Sequence, residues 1–323
     1  PVPSSFFFMN LFLHVAAPLG LMGADIEARE GRFPPFIVTG RPLSGIEYEL
    51  PVASAQVKSA VMLAGLRADG VTVVEEKEAT RDHTERMLRA FGVEVGVEQR
   101  PGKGPVVSVR GGQMLKGMAA AVAGDPSSAA FAIAAALIAG EGEASVAGML
   151  DNRTRTGFLD AAAAMGASVR SEGDGQATGE DTVRVIAGAS RLKGIALDPA
   201  LVPSMIDELP IFAVLAAFAD GKTTVTGAAE LRVKESDRIK AICAMLSVNG
   251  VGVEELPDGF IVTGCGARGV PGGGLVAYEM AQQLKAVGVE TSMLLLFDTP
   301  NPLSPVRPFS LLERIRAQWD LQG

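Results

Sequence analysis

The sequence has few of the residues that build metal centres and disulfide frameworks. Its 323 residues include two cysteines and two histidines. Two cysteines supply neither a disulfide framework nor the spacing of a zinc site, so a reducing cytoplasm is the expected compartment. His14 and His83 are too few for a histidine-rich metal site. We therefore expect a cytoplasmic protein with no metal and no cofactor.

Aromatic residues and net positive charge are also scarce. Aromatics make up 5% of the chain, and the net charge is −8. That charge disfavours nucleic acid and anionic membranes as partners. The apolar run Phe6–Leu13 is too short to span a bilayer, and no basic residue precedes it as in a signal peptide. We expect a monomer without a membrane span, and we interpret residues 1–18 as an atypical N-terminal segment.

A repeated plan organises the middle of the chain, with a period of about 75 residues. Each unit reads as an Ala/Leu-rich helix, a strand, a second helix with a glycine stop, and two strands. The first helix and strand fall in Ser54–Val74, Ser127–Val146 and Ser204–Val225, and the second in Thr84–Val97, Thr156–Val169 and Asp237–Val253. The first helices are apolar nearly all round, so we predict an α/β (α+β) fold that buries them together with sheets outside.

A densely charged run, Leu231–Arg238, lies between a strand-like segment, Thr223–Thr226, and an apolar helix-like segment. Ser236 is predicted to cap that helix, whose exposed N–H groups attract anions. Lys234 and Arg238 stand beside it, so a phosphate or carboxylate would meet fixed dipoles and mobile cations together. A solvated helix start is the alternative interpretation.

Polar residues also open the three apolar helices. Capping explains one serine or aspartate at each start, and we expect Ser127 and Ser128 to be caps. Glutamine is not a preferred cap, so Ser54 with Gln56 stays open between a cap and a ligand site. Asp207 lies in an apolar run, where a carboxylate suits a general base. A helix-start acid favoured by the dipole is the alternative for Asp207.

The segment Thr80–Glu85 has the same pattern as the charged run, because a cation precedes a hydroxyl-bearing and acidic helix start. Asp82 or Thr84 can cap this helix. We interpret His83 as a structural hydrogen-bonding group. Asn152–Thr156 occupies the equivalent place in the next unit and is interpreted as the structural counterpart.

Six of these segments together resemble the 5-enolpyruvylshikimate-3-phosphate (EPSP) synthases, the enolpyruvyl transferases of the shikimate pathway. In order they are Pro51–Leu66, Thr80–Leu88, Gly124–Phe131, Asn152–Gly157, Pro203–Gly221 and Glu230–Ile239. The Ser54-Ala55-Gln56 form resembles the bacterial class II subgroup, often described as glyphosate-insensitive. The resemblance covers about residues 19–264.

The resemblance implies a two-domain, inside-out α/β barrel of the enolpyruvyl transferase type, built from repeated helix–sheet units and incomplete here. It places a partial first domain at residues 19–123 and a partial second domain at 124–270, with a crossing near Val122–Gly124. Residues 271–323 then form an atypical C-terminal segment.

The resemblance also implies the substrates, shikimate 3-phosphate and phosphoenolpyruvate, with glyphosate as a possible ligand. Its implied ligands of shikimate 3-phosphate are Ser54, the backbone of Ala55, Gln56, Arg81, Asp207 and Lys234. Asp207 would take the proton of the 5-hydroxyl, and Glu235 would serve the methylene carbon of phosphoenolpyruvate. Lys234 counts with these two among the catalytic residues, and Arg238 would bind phosphoenolpyruvate.

Both ends of the chain depart from the family pattern. An upstream Lys-Ser pair, a glycine-rich phosphoenolpyruvate loop and a later Asp-His-Arg motif are absent from the sequence. We therefore expect ends that are truncated or frame-shifted, and little or no synthase activity.

Three alternatives remain open. The first is an enolpyruvyl transferase acting on UDP-N-acetylglucosamine, which shares the fold but usually uses a loop cysteine that neither Cys243 nor Cys265 resembles. The second is a non-catalytic truncated homologue that binds anions. The third is a cyclase-type relative, which the charged run Leu231–Arg238 disfavours.

Overall fold

Three helix–sheet units follow one another along the chain. The computed structural model describes residues 14–31, 33–101, 104–139, 141–232 and 236–266. None of the helices in these described ranges is long and apolar enough to cross a membrane.

A helix and a hairpin precede the first unit. The described part of the helix, α1, covers residues 14–21. The hairpin pairs β1 (Asp25–Arg29) antiparallel with β2 (Phe33–Thr39). Val15 of α1 packs against a hydrophobic core that includes Met22, Leu50 and Val57. The expected atypical segment, residues 1–18, therefore overlaps a helix that belongs to the fold, and the expected segment 271–323 lies outside the described residues.

The first unit runs from residue 43 to residue 110. Its elements are β3 (Leu43–Ser44), β4 (Glu47–Glu49), α2 (Ala55–Gly65), β5 (Ala68–Asp69), β6 (Val71–Glu75), α3 (His83–Ala90), β7 (Val95–Glu98) and β8 (Val106–Arg110). The predicted order of helix, strand, helix and two strands is therefore present in α2, β6, α3, β7 and β8.

The other two units repeat this order. The second contains α4 (Pro126–Ile138), β9 (Glu143–Leu150), α5 (Gly157–Ala164), β10 (Ser168–Ala177) and β11 (Glu180–Gly188). The third contains two 3₁₀ turns (Pro199–Ser204 and Ile206–Glu208), α6 (Leu209–Phe218), β12 (Lys222–Val225), a 3₁₀ turn (Ala229–Arg232), α7 (Arg238–Val248), β13 (Gly252–Leu256) and β14 (Gly259–Thr263). The helix predicted to begin near Ser204 thus begins at Leu209, after two tighter turns.

The sheets share one strand order, with the last strand of each unit in the centre. The orders are β6-β8-β7, β9-β11-β10 and β12-β14-β13, all antiparallel. The chain entering each unit pairs in parallel with its first strand, through β4 on β6 and through bridges at Gly124–Met149 and Ala196–Thr224. Such pairing needs a crossover, which the first helix of each unit provides.

Two separate hydrophobic cores lie under these sheets. The smaller is built from buried residues between Met22 and Val109, and the larger from buried residues between Ala129 and Val262. In the larger core α4 and α6 pack against each other, and Phe212 is completely buried. The predicted burial of the apolar first helices is therefore observed. They are not all buried together, because α2 contributes to the smaller core while α4 and α6 share the larger one.

Glycines permit the close approach of the entering chain in two units. A Cβ atom on Gly45 would lie 2.2 Å from the carbonyl oxygen of Val71, and one on Gly194 would lie 2.3 Å from that of Lys222. Both glycines stand at the same step of their units, just before the parallel pairing. Side chains at these positions would push the entering chain off the sheet.

Candidate active site between the two cores

Arginines from the first and third units converge on the carboxylate of Asp207. Nη2 of Arg81, just before α3, lies 3.1 Å from Oδ2 of Asp207, and Nη1 of Arg238, the first residue of α7, lies 3.3 Å from Oδ1. Each of the three side chains is about one-third exposed. Solvent can therefore reach the charges, and an anion could compete with Asp207 for both arginines.

The 3₁₀ turn Ile206–Glu208 holds Asp207 in this position. Ile206 and Glu208 are buried on either side, so the residue between them is left facing outward. Pro210 in the first turn of α6 has no N–H to satisfy and suits a helix start. Asp207 thus lies ahead of the buried helix and not within it.

Glu208 anchors the same turn to the start of α4. Its carboxylate accepts a hydrogen bond from Oγ of Ser127. Burial raises the pKa of Glu208, against the bond from Ser127 and the charge of Arg155. Nη2 of Arg155 also lies 2.8 Å from Oγ of Ser127 and 2.8 Å from Oδ1 of Asp125.

The cap of α4 is Asp125, so the prediction that Ser127 and Ser128 are caps is wrong. Oδ2 of Asp125 accepts from the backbone N–H of Ser128 at 3.0 Å and from its hydroxyl at 3.0 Å. A carboxylate is a stronger acceptor than a hydroxyl and is favoured by the helix dipole. Ser127 is thereby free to donate to Glu208 instead.

The start of α2 carries two other predicted ligands. Ser54 is the N-cap, and its Oγ accepts from the N–H of Val57 at 3.4 Å. The same hydroxyl donates to Oε1 of Gln56 at 3.3 Å, while Gln56 is exposed. Ser54 is therefore the cap of α2, and its hydroxyl also orients the exposed amide of Gln56.

A buried group of charged side chains that was not predicted from the sequence lies beside α2. Nζ of Lys58 lies 2.9 Å from Oε1 of Glu76 and 2.7 Å from Oε1 of Glu85, and the three side chains are 1%, 0% and 3% exposed. We call these three residues the Lys58 cluster. A lysine on an otherwise apolar helix face, beside Val57 and Val61, was the available signal.

The start of α3 is tied to the second unit. Asp82 is in the N-cap position, but within the described residues its side chain makes no capping bond. It accepts from Asn152 at 2.7 Å and from Arg86 at 2.8 Å instead. Burial opposes ionisation, but these bonds outweigh it and hold the pKa of Asp82 below its usual range. Nδ1 of His83 lies 2.7 Å from Glu180, in keeping with a structural role.

The charged run differs from its prediction at the cap. Asp237, not Ser236, caps α7, with Oδ1 accepting from the N–H of Lys240 at 3.0 Å. Lys234 and Glu235 lie outside the described residues, so their roles stay predictions. In the part of the chain that the structure describes, no group of three His, Cys, Asp or Glu side chains could hold a metal ion.

Comparison with known proteins identifies the family. The family model described as EPSP synthase (3-phosphoshikimate 1-carboxyvinyltransferase) matches residues 12–291. The chain belongs to this family.

Relatives with the family's name are similar over most of the chain. A 3-phosphoshikimate 1-carboxyvinyltransferase of Hyphomonas neptunium is 55% identical over 269 residues, covering 83% of this chain and 60% of that protein. One from Maricaulis maris is 50% identical over 275 residues, covering 85% and 61%. The chain therefore spans about three-fifths of the length of these curated EPSP synthase relatives.

Solved structures show the same architecture. An EPSP synthase from Acinetobacter baumannii superimposes with a TM-score of 0.72 at 44% identity, covering 78% of this chain and 56% of that one. The enolpyruvyl transferase NikO from Streptomyces tendae gives 0.58 at 15% identity, which shows a shared fold. The predicted enolpyruvyl transferase fold, the inside-out α/β arrangement of repeated units, is confirmed.

The alternative that acts on UDP-N-acetylglucosamine is less supported. The relatives above carry the EPSP synthase name. Cys243 is buried within α7, and burial raises the pKa of its thiol. A buried thiol with a raised pKa is a poor nucleophile or acid at neutral pH.

Proposed function

We propose that this chain binds shikimate 3-phosphate and phosphoenolpyruvate for transfer of the enolpyruvyl group to the 5-hydroxyl, with release of phosphate. The convergence of Arg81 and Arg238 on Asp207 carries the proposal. The substrates bring two phosphates and two carboxylates, and guanidinium groups bind such anions through paired N–H donors. Family membership and the names of the relatives support the same reaction.

Residues of both parts of the chain have proposed binding roles. Arg81 holds shikimate 3-phosphate with Ser54, Gln56 and the backbone of Ala55, all at the start of α2. Lys234 adds a further cation to this substrate. Arg238 holds phosphoenolpyruvate, and glyphosate is a possible competitor there.

The proposed chemistry is an addition followed by an elimination. Asp207 takes the proton of the 5-hydroxyl while that oxygen attacks the central carbon of phosphoenolpyruvate, and Glu235 gives a proton to the methylene carbon. In the second step Glu235 takes back a proton from that carbon as the bond to phosphate breaks. The proton held by Asp207 leaves with phosphate, which balances the reaction. Lys234 and the arginines offset the developing charge.

The proposed division into a partial first domain, residues 19–123, and a partial second domain, 124–270, is supported by the two separate cores. Substrate binding would then require both parts, because each supplies one arginine. We place the reaction in the cytoplasm, and we expect weak or no turnover by this chain.

Calorimetric titration with shikimate 3-phosphate tests the proposal, with UDP-N-acetylglucosamine as the competing ligand. We expect binding of the first and not the second, and a loss of about 10-fold or more in Arg81→Ala, since a bond to a charged group contributes about 1.5–3 kcal/mol. Arg170→Ala is the matched control, because Arg170 pairs with Glu143 on the surface with both side chains about half exposed.

Failure to bind shikimate 3-phosphate, or equal loss in the two arginine variants, would overturn the proposed binding role. Phosphate release from the two substrates measures turnover separately. A rate near that of full-length relatives would contradict the expected low activity and leave the binding role intact.

A further inference from the structure

The Lys58 cluster is connected to the candidate active site through Thr80. Oε1 of Glu76 faces Lys58, and Oε2 of Glu76 accepts from the backbone N–H of Thr80 at 3.0 Å and from its hydroxyl at 2.5 Å. Thr80 directly precedes Arg81. A buried carboxylate therefore fixes the backbone from which Arg81 reaches Asp207.

The cluster is also connected to the start of α2. Lys58 lies in the first turn of that helix, and its N–H donates to the carbonyl oxygen of Ser54 at 3.1 Å. Gln56 lies in the same turn. The two sets of proposed ligands for shikimate 3-phosphate, at the helix start and at Arg81, are thereby joined by one ion pair.

Burial makes this connection stiff. Lys58 and Glu76 are 1% and 0% exposed, so water does not compete for their bond. Separating buried charges is costly, because each is left uncompensated. An apolar pair could fill the same volume, but it could not accept two hydrogen bonds from Thr80.

We propose that Lys58 and Glu76 are positioning residues that set the distance between Arg81 and the start of α2. The inference deepens the proposed function by giving Arg81, its proposed ligand of shikimate 3-phosphate, a fixed support. The support of Arg81 by Glu76 and Thr80 can be tested without any ligand.

Two substitutions of equal charge separate positioning from simple stabilisation. Glu76→Gln keeps only one acceptor oxygen, so its side chain cannot accept hydrogen bonds from Lys58 and Thr80 together. Glu85→Gln removes the same charge from the other side of Lys58, and among the described contacts Glu85 has no bond to Thr80 or Arg81. NMR of the Arg81 guanidinium, assigned with Arg81→Lys, reports the support directly without ligand.

We expect the Arg81 signals to shift and broaden in Glu76→Gln and to stay as in the parent protein in Glu85→Gln. Equal spectra in the two variants would overturn the proposal. Should Glu76→Gln fail to fold, Thr80→Val removes the hydroxyl bond at a half-exposed position, and Thr80→Ser restores it. Arg81 signals that change in Thr80→Val and do not return to those of the parent protein in Thr80→Ser would also overturn the proposal.

Affinity gives the second measurement. We expect Glu76→Gln to weaken shikimate 3-phosphate about 10-fold, and to have no further effect in an Arg81→Ala background, because coupled residues are not additive. Additive losses would contradict positioning through Arg81. A parent protein that binds no shikimate 3-phosphate would refute the proposed function, while the NMR comparison would still decide the support of Arg81.

Discussion

Thr80 connects two groups of three charged side chains, which we call triads, and the two triads have opposite arrangements of charge. In the Lys58 cluster one cation lies between two carboxylates, with all three side chains nearly inaccessible to solvent. At the candidate active site one carboxylate, Asp207, lies between two cations, with each side chain about one-third exposed. The buried triad has excess negative charge and the open one excess positive charge when all are ionised.

Because the two triads differ in solvent exposure, they suit different roles. Exposed ion pairs contribute about 0–1 kcal/mol, because water and salt compete for each charge. Their partners can therefore be exchanged at little cost, as ligand binding requires. Breaking a buried pair is expensive, so the Lys58 cluster suits a fixed support.

The largest predicted effect breaks the buried triad. Lys58→Met leaves Glu76 and Glu85 buried without their cation, and we expect the free energy of unfolding to fall by about 3–5 kcal/mol. Urea denaturation followed by circular dichroism measures this change. Arg238→Met is the matched control in the open triad and should cost about 1 kcal/mol or less. Similar losses in the two variants would contradict the comparison.

A smaller effect concerns Glu208, which is buried like the first triad and adjacent to the second. Burial raises its pKa in the folded protein, so the folded state holds its proton to higher pH than the unfolded state does. Its contribution to stability is then fully present below the unfolded pKa and is lost as pH rises through the folded pKa. The slope is at most about 1.4 kcal/mol per pH unit, the value for one proton.

Denaturation across this pH range checks the sign. Glu208→Gln keeps an acceptor for Ser127 and should remove that descending slope. Asp82→Asn provides the opposite control, since the pKa of Asp82 is lowered and its stabilisation is lost as pH falls. A parent protein whose Glu208 contribution rises with pH would refute the assignment.

The smallest predicted effect concerns the cap of α7, the helix that begins at Arg238. Asp237→Ala removes the cap of α7 and should lower the free energy of unfolding by about 1 kcal/mol. Ser236→Ala should change it by about 0.5 kcal/mol or less, because Ser236 is exposed and is not the cap. Thermal or urea denaturation measures both changes. A larger loss of stability in Ser236→Ala than in Asp237→Ala would indicate that Ser236 is the cap after all.

The repeated units were predictable because their signals are local. Apolar helices, glycine stops and β-branched strands recur in the sequence, and all three units fold in that order. The central position of the last strand was not predictable, since strand pairing joins residues distant in sequence. The start of α6 was also misplaced, because the turns before it are apolar and read as helix.

The candidate site was predictable from resemblance and not from spacing. Arg81 and Asp207 are 126 positions apart, and no periodicity brings them together. The cap at Ser54 was one of two open interpretations, and the structure shows it. The caps predicted at Ser127 and Ser236 are wrong, because an aspartate near each takes that role. The Lys58 cluster escaped prediction because Glu76 lies in a charged stretch that resembles an exposed loop.

A carboxylate held by two arginines acts as an internal competitor for any incoming anion. In the proposed function the two arginines bind different substrates, so each substrate would replace one of the two bonds to Asp207. The released carboxylate would then become available to accept a proton. The observed affinity is then the difference between two ion pairings and not the strength of either one. Removing the carboxylate of Asp207 would tighten binding of inorganic phosphate and would also remove the proposed base, so tighter binding and lost turnover would arise from the same substitution.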